Sequence, residues 1–304
     1  MESKEITGSL TTITDYIRWA CSEFYRNQLT FGHGFENALD EAVYLVLYAL
    51  NLPYDWPQAY FSSQLTEKER EHVVAVVMQR IKTRQPAAYV TREAWFCGLP
   101  FYVDERVLVP RSPIAELINQ HFEPWIDSTR VQSILDLCTG SGCIAIACQY
   151  AFPDAEVAAS DLSKDALEVA RENLHRHQLS EHITLYESDL LDQIPAQRFD
   201  LIVSNPPYVD AEDMAALSEE FKAEPNMGLQ AGEDGLEIVD RMLLQAVDYL
   251  SDDGLLVVEV GNSQAAMMDK YPDLALTWIE FEQGGGGVFC ITASDLKQSF
   301  KTVN

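Results

Sequence analysis

From Ser133 onward the sequence alternates between short apolar runs and amphipathic stretches, and this rhythm constrains the fold more than any other feature. Residues 133–137, 156–160, 183–187, 199–204 and 254–260 read as strands. Between them, residues 143–150, 164–177 and 236–250 carry helical spacing of apolar side chains. Two further short strands, about 276–282 and 288–292, bring the number to seven. Strands alternating with helices of this length close into a mostly parallel sheet covered on both faces, because each crossover is long enough only for a helix packed back onto the sheet. The expected fold class is α/β, a Rossmann-like doubly wound seven-stranded sheet.

The N-terminal third has a different rhythm. Ile13, Tyr16, Ile17 and Ala20, and then Ala42, Val43, Leu45, Val46, Ala49 and Leu50, recur at helical spacing. Thr66 and Glu69 form a capping-box pattern ahead of Val73, Val74, Val76 and Val77. Residues 86–109 change character again: Tyr89-Val90, Trp95-Phe96 and Phe101-Tyr102-Val103 suggest short strands about a Gly98-Leu99-Pro100 turn. Pro110-Arg111-Ser112-Pro113 then opens a helix to about His121. The expected organisation is a smaller helical domain over 1–85, a β-hairpin linker over 86–109 and an α/β domain over 110–304. The helical domain is read as a substrate reader, the plainer alternative being a stabilising cap.

Open parallel sheets bind ligands at the carboxyl ends of their strands. The first strand ends in Asp136-Leu137-Cys138-Thr139-Gly140-Ser141-Gly142, a glycine turn into a helix. It lacks the three-glycine spacing of a dinucleotide fingerprint, so alone it specifies no particular cofactor. Asp161, 25 residues beyond Asp136, ends the second strand, where a carboxylate can accept hydrogen bonds from ribose hydroxyls. The competing reading is a helix N-cap, for which Ser163 is better placed. Ser188-Asp189-Leu190 ends the third strand, where an adenine could be edged and packed.

The fourth strand ends in Asn205-Pro206-Pro207-Tyr208. Asn205 offers a side-chain carbonyl. The prolines lack N–H groups and have fixed φ, so the carbonyls between them can be aimed at a ligand. Tyr208 offers a flat face for a planar amide or base. The set suits a planar –NH₂ group, although Pro-Pro after a strand can also simply end it.

Charge narrows the partner. The net charge is −27, with 9 Lys/Arg against 11 Asp/Glu in residues 1–92 and 12 against 37 in residues 93–304. Residues 210–240 hold ten acids (Asp210, Glu212, Asp213, Glu219, Glu220, Glu224, Glu233, Asp234, Glu237 and Asp240) and one base, Lys222. Such a field repels a nucleic-acid backbone and steers a basic protein inward. The six cysteines lack a Cys-x-x-Cys pair and read as buried thiols, so no metal is expected. No run has the length of a membrane span and the first residues lack a signal-peptide core, so a cytoplasmic protein with no membrane partner is expected.

Residues 136–142, Asp161 and the Asn205–Tyr208 tetrapeptide together resemble the class I S-adenosylmethionine-dependent methyltransferases, and the tetrapeptide resembles the branch that methylates planar nitrogens. The resemblance implies S-adenosyl-L-methionine bound by Asp136, Cys138, Thr139, Gly140, Ser141, Gly142, Asp161, Asp189, Leu190 and Asn205. It implies catalysis by Asn205, Pro206 and Tyr208, with Pro207 completing the substrate clamp. Arg84-Gln85-Pro86-Ala87-Ala88-Tyr89, Trp95-Phe96-Cys97-Gly98-Leu99-Pro100-Phe101 and Gly232-Glu233-Asp234-Gly235-Leu236 are similar to segments of the protein-glutamine N5-methyltransferases. Members acting on release factors usually read Pro-Arg-Pro-Glu-Thr where this chain has Pro110-Arg111-Ser112-Pro113-Ile114. That form, with Cys138 and Cys143, resembles instead the members that modify the third large-subunit ribosomal protein. The implied partner is that basic protein before ribosome assembly, and not DNA. A release factor, DNA amino groups and a non-catalytic role in ribosome assembly stand as alternatives.

Overall fold

The computed structural model describes residues 3–282 and 284–301. It divides into two compact units, Met1–Glu93 with Leu217–Ala223, and Ala94–Ala216 with Glu224–Asn304.

The first unit is helical: α1 (Ser3–Ser9), α2 (Ile13–Arg26), α3 (Ala38–Ala49), α4 (Glu67–Thr83) and α5 (Ala87–Thr91). Capping boxes start α2 (Thr12 with Asp15) and α4 (Thr66 with Glu69), each satisfying backbone N–H groups that a helix start leaves open. The amphipathic faces bury Tyr16, Ala20, Phe24, Leu45, Val73 and Val77 together. Tyr89-Val90, expected as a strand, lies in α5: Pro86 starts a helical turn and its carbonyl accepts from Tyr89 N at 2.9 Å. Five residues are too few for periodicity to reveal a helix.

Charge is buried in this unit. Arg80 is fully buried and its Nε donates to Glu41 Oε1 at 2.7 Å. Glu220, also fully buried, lies with Oε1 3.6 Å from Arg80 Nη1 and 3.0 Å from Arg84 Nε. Thr30 N donates to the same Glu220 oxygen at 3.1 Å. Segment 217–223 therefore belongs to the helical unit through a paired, hydrogen-bonded carboxylate, the form in which a charge tolerates burial.

The second unit opens with the hairpin of β1 (Ala94–Phe96) and β2 (Leu99–Phe101), so the hairpin belongs with the α/β unit. Its two-residue turn is Cys97-Gly98, both at positive φ, as a tight hairpin demands. Tyr102 and Val103 fall outside β2. The buried Asn173 side chain explains this: it accepts from Tyr102 N at 2.7 Å and donates to Tyr102 O at 3.0 Å, replacing a strand partner.

There follow α6 (Ile114–Asn119), β3 (Ser133–Leu137), α7 (Cys143–Ala151), β4 (Glu156–Asp161), α8 (Lys164–Arg176), β5 (Ile183–Glu187), β6 (Phe199–Ser204) and α9 (Ala211–Ala216). The chain ends with α10 (Glu237–Tyr249), β7 (Leu250–Glu259), α11 (Gln264–Lys270), β8 (Thr277–Trp278), β9 (Val288–Thr292) and α12 (Ala293–Lys301). The seven-stranded sheet has the order β5-β4-β3-β6-β7-β9-β8, and β9 runs antiparallel to its neighbours. The expected strand over 276–282 is reduced to Thr277–Trp278, an edge element with one neighbour.

Register decides what the sheet presents. Leu137 pairs with Ser160 and with Ser204, and Ser204 pairs with Val258. One residue further on, Asp161, Cys138, Asn205 and Glu259 follow one another across four adjacent parallel strands, at successive strand spacings of about 4.8 Å. The strands beneath them are buried and mostly apolar, with Asp136, Ser160 and Ser204 as buried polar exceptions near the carboxyl end.

Candidate active site

The glycine turn after β3 is held from inside. Asp136 is completely buried; its Oδ2 accepts from Thr139 Oγ1 at 2.5 Å and Ala145 N at 3.1 Å. Its Oδ1 is buried without a hydrogen-bond partner. Burial, reinforced by the nearby Asp161 carboxylate, pushes Asp136 up to about 7. Cys138, Gly140 and Gly142 all have positive φ and turn the chain sharply, with Thr139 N donating to Ser160 O and Gly142 N to Thr139 O, each at 2.9 Å. Glycine is favoured at 142 because its φ is +80° and a Cβ there would also sit 3.3 Å from the Ala170 methyl. At Gly140 nothing lies within 4 Å of where a Cβ would be, which leaves open space over the turn. Ser141 O accepts from Asn173 Nδ2 at 2.8 Å, which fixes the far side of the loop.

Asp161 accepts from two backbone N–H groups, one at the start of α8 and one in the glycine turn. Its Oδ1 accepts from Ser163 N at 2.8 Å and its Oδ2 from Gly140 N at 2.9 Å. Ser163 is the N-cap of α8, its Oγ accepting from Ala166 N. Asp161 thus ties the β4 end to the glycine turn, and each carboxylate oxygen keeps a second lone pair. Asp189 and Leu190 follow the end of β5. Asp189 Oδ2 pairs with Arg241 Nη2 at 2.8 Å, and the Leu190 side chain is buried in the sheet core.

Asn205 leaves β6 with Oδ1 buried and lacking a hydrogen-bond partner. A buried carbonyl oxygen without a donor is costly, and a bound N–H donor removes that cost. Pro206 is buried beside it, and Pro207 and Tyr208 are half-buried. Tyr208 is gripped at three points. Its carbonyl accepts from Ser263 Oγ at 2.9 Å, its hydroxyl donates to Glu259 Oε1 at 3.0 Å, and a Cβ on Gly261 would overlap its ring. Burial and the adjoining Glu259 carboxylate push the phenol upward, so it stays protonated.

Glu259, Ser112 and Arg111 were not among the residues selected from sequence. Glu259 Oε2 accepts from Ser112 Oγ at 2.5 Å. Arg111 grips Glu224 with two bonds, Nη1 to Oε1 at 2.6 Å and Nη2 to Oε2 at 2.8 Å. A signal for Glu259 existed: a single glutamate ends the wholly apolar run Leu255-Leu256-Val257-Val258. A cavity of about 690 Å³ opens beside Tyr208 and Glu259, bounded also by Arg111, Pro113, Gly261 and Met268.

The sheet order and a glycine turn held by a buried aspartate define a methyltransferase fold, and the Methyltransferase small domain family matches residues 115–233. Among solved structures, the hMettl16 catalytic domain in complex with MAT2A 3'UTR hairpin 6 shares that fold at a TM-score of 0.50 and 16% identity, covering 74% of this chain and 80% of that one. The Ribosomal protein uL3 glutamine methyltransferase of Francisella tularensis subsp. tularensis is 48% identical over 304 residues, 99% of this chain and 97% of the relative. The protein of the same name from Xanthomonas campestris pv. campestris is 47% identical over 287 residues, 94% and 93% of the two chains. The chain belongs to the ribosomal protein uL3 glutamine methyltransferase family.

Methyltransferases of this fold use S-adenosyl-L-methionine, and the residues present fit it. Asp136 Oδ1 is a buried acceptor without a donor, the cofactor is cationic, and the turn over Gly140 is open.

Proposed function

We propose that this protein transfers the methyl group of S-adenosyl-L-methionine to the side-chain amide nitrogen of a glutamine in ribosomal protein uL3. The observation that carries the reading is the partnerless, buried Oδ1 of Asn205 at the end of β6. The names of the two relatives supply the substrate.

An amide nitrogen is a poor nucleophile because its lone pair is delocalised into the carbonyl. Asn205 Oδ1 and the Pro206 carbonyl accept its two N–H hydrogens and hold it in place. Pro207 fixes the backbone between them, and the Tyr208 ring packs against the amide plane. Bound at residues 136–142 and Asp161, the cofactor supplies an electrophilic methyl group on a sulfonium. As the amide nitrogen gains positive character both hydrogen bonds strengthen, so they stabilise the transition state more than the ground state. Orientation contributes about 7 kcal/mol or more. One N–H proton leaves to water after transfer.

Five of the ten acids in 210–240 are internally paired: Glu219 and Glu220 with Arg84, Glu224 with Arg111, and Asp234 and Asp240 with Lys270. The field that steers a basic substrate therefore rests on Asp210, Glu212, Asp213, Glu233 and Glu237. It favours free uL3 in the cytoplasm over the assembled ribosome, whose RNA phosphates it repels, and it disfavours DNA.

The test offers labelled methyl donor with free uL3, assembled large subunits, a release factor and DNA side by side. Label on a glutamine of free uL3 is expected, and Asn205→Ala abolishes it while cofactor Kd is largely retained. Label on the release factor or DNA with none on uL3 would overturn the reading, as would near-normal kcat in Asn205→Ala.

A further inference from the structure

Glu259 is a buried carboxylate with both oxygens occupied as acceptors, one by the Tyr208 hydroxyl and one by the Ser112 hydroxyl. The first of these bonds ties it to the one aromatic ring of the tetrapeptide. The other two anchors of Tyr208 act on its backbone carbonyl and on one edge of its ring. The hydroxyl bond holds the far end of the ring, which lines the adjoining 690 Å³ cavity together with Glu259.

We propose that Glu259 and Ser112 are a positioning pair, holding the Tyr208 ring against the substrate amide and setting the turnover rate without touching the substrate. This rests on the glutamine-amide reading of the site. Ser112 fixes the carboxylate, the carboxylate fixes the phenol, and the phenol fixes the ring. Burial pushes the Glu259 carboxyl up, and the hydrogen bonds from Ser112 and Tyr208, with the Arg111 charge nearby, act against that rise. A carboxylate accepts from both hydroxyls at once, and a glutamine can accept from Tyr208 while donating to Ser112.

The experiment is a mutant cycle on the full-length enzyme. Glu259→Ala and Tyr208→Phe each lower kcat about ten- to hundredfold, with KM and cofactor Kd within about twofold of wild type. Glu259→Ala has no further effect in the Tyr208→Phe background, Glu259→Gln restores kcat to within about threefold, and Ser112→Ala falls between. A second readout needs no substrate: the Tyr208 Cζ resonance, assigned with Tyr208→Phe, moves in Glu259→Ala and stays near its wild-type position in Glu259→Gln. Additive losses in the cycle, failure of Glu259→Gln to rescue, wild-type kcat in Glu259→Ala, or a Cζ resonance indifferent to Glu259→Ala each overturn the pair. A wild-type enzyme that leaves glutamine unmethylated defeats the proposed function instead, and the resonance still decides whether Glu259 holds the ring.

Discussion

With the cofactor bound against Asp136 as proposed, its affinity is expected to depend on pH. The Asp136 carboxyl is completely buried and pushed up to about 7, against an ordinary value of 3.8. A carboxyl raised by folding favours the folded state below about pH 4 and loses that contribution as pH rises through about 7. A cationic cofactor acts in the opposite sense. It binds the ionised form and draws the carboxyl back toward its ordinary range, so binding expels a proton wherever the free protein is protonated. At pH 7 about half of the free protein has Asp136 ionised, and at pH 5.5 about 3% does. Affinity therefore falls about fifteenfold over that interval, which lies above the isoelectric point of about 4.4. The amino group of the cofactor stays protonated throughout this window. The assay is calorimetric titration at pH 5.5, 6.2 and 7.0, each in two buffers of different ionisation enthalpy, which counts the protons released. Asp136→Asn keeps an acceptor for Thr139 and Ala145 and resembles the protonated acid. It binds weakly and with nearly constant affinity across the window. Wild-type affinity that is flat from pH 5.5 to 7.0, or an Asn variant with the wild-type slope, would refute the linkage.

Other consequences follow from particular contacts. Gly142→Ala places a Cβ 3.3 Å from Ala170 at a φ of +80°, and unfolding in urea is expected to show a loss of about 1–2 kcal/mol; an unchanged midpoint contradicts the crowding. Glu220→Gln leaves part of the buried Arg80 charge uncompensated and should cost about 3–5 kcal/mol, read from thermal unfolding, whereas Glu212→Gln on the surface should cost nearly nothing. Raising salt from 50 to 500 mM should lower kcat/KM for free uL3 through the association rate with little change in kcat; salt-independent kcat/KM would remove the steering role of the exposed acids.

The sheet was legible because its strands are nearly continuous apolar runs separated by helices, a pattern with few alternative folds. The glycine turn and Asn205 stand at strand ends, where a parallel sheet exposes its functional residues, and the register brings Asp161, Cys138 and Asn205 side by side. What escaped was set by distance along the chain. Ser112 and Glu259 are 147 residues apart, and no local pattern announces that their side chains meet. Tyr89-Val90 misled because a β-branched and an aromatic residue favour strand, while Pro86 organises a helical turn. The acidic stretch misled in part, because sequence counts charges without showing that Glu220 and Glu224 are buried against arginines. Asp189 and Leu190 follow β5 as the strand spacing indicated, and the pairing of Asp189 with Arg241 is a long-range contact that local sequence does not announce.

Segment 217–223 has a consequence for ancestry and engineering. The chain passes between the two units at three points: after Glu93, after Ala216 and after Ala223. A gene fusion or recombination event with one breakpoint near residue 93 would bring a foreign helical unit lacking partners for Glu220, while the displaced helices would keep Arg80 without its second carboxylate. Each half would carry an ionic group evolved for the other's interior. Exchanging the helical unit with its buried ion pairs intact therefore means moving seven residues encoded more than a hundred positions downstream along with it.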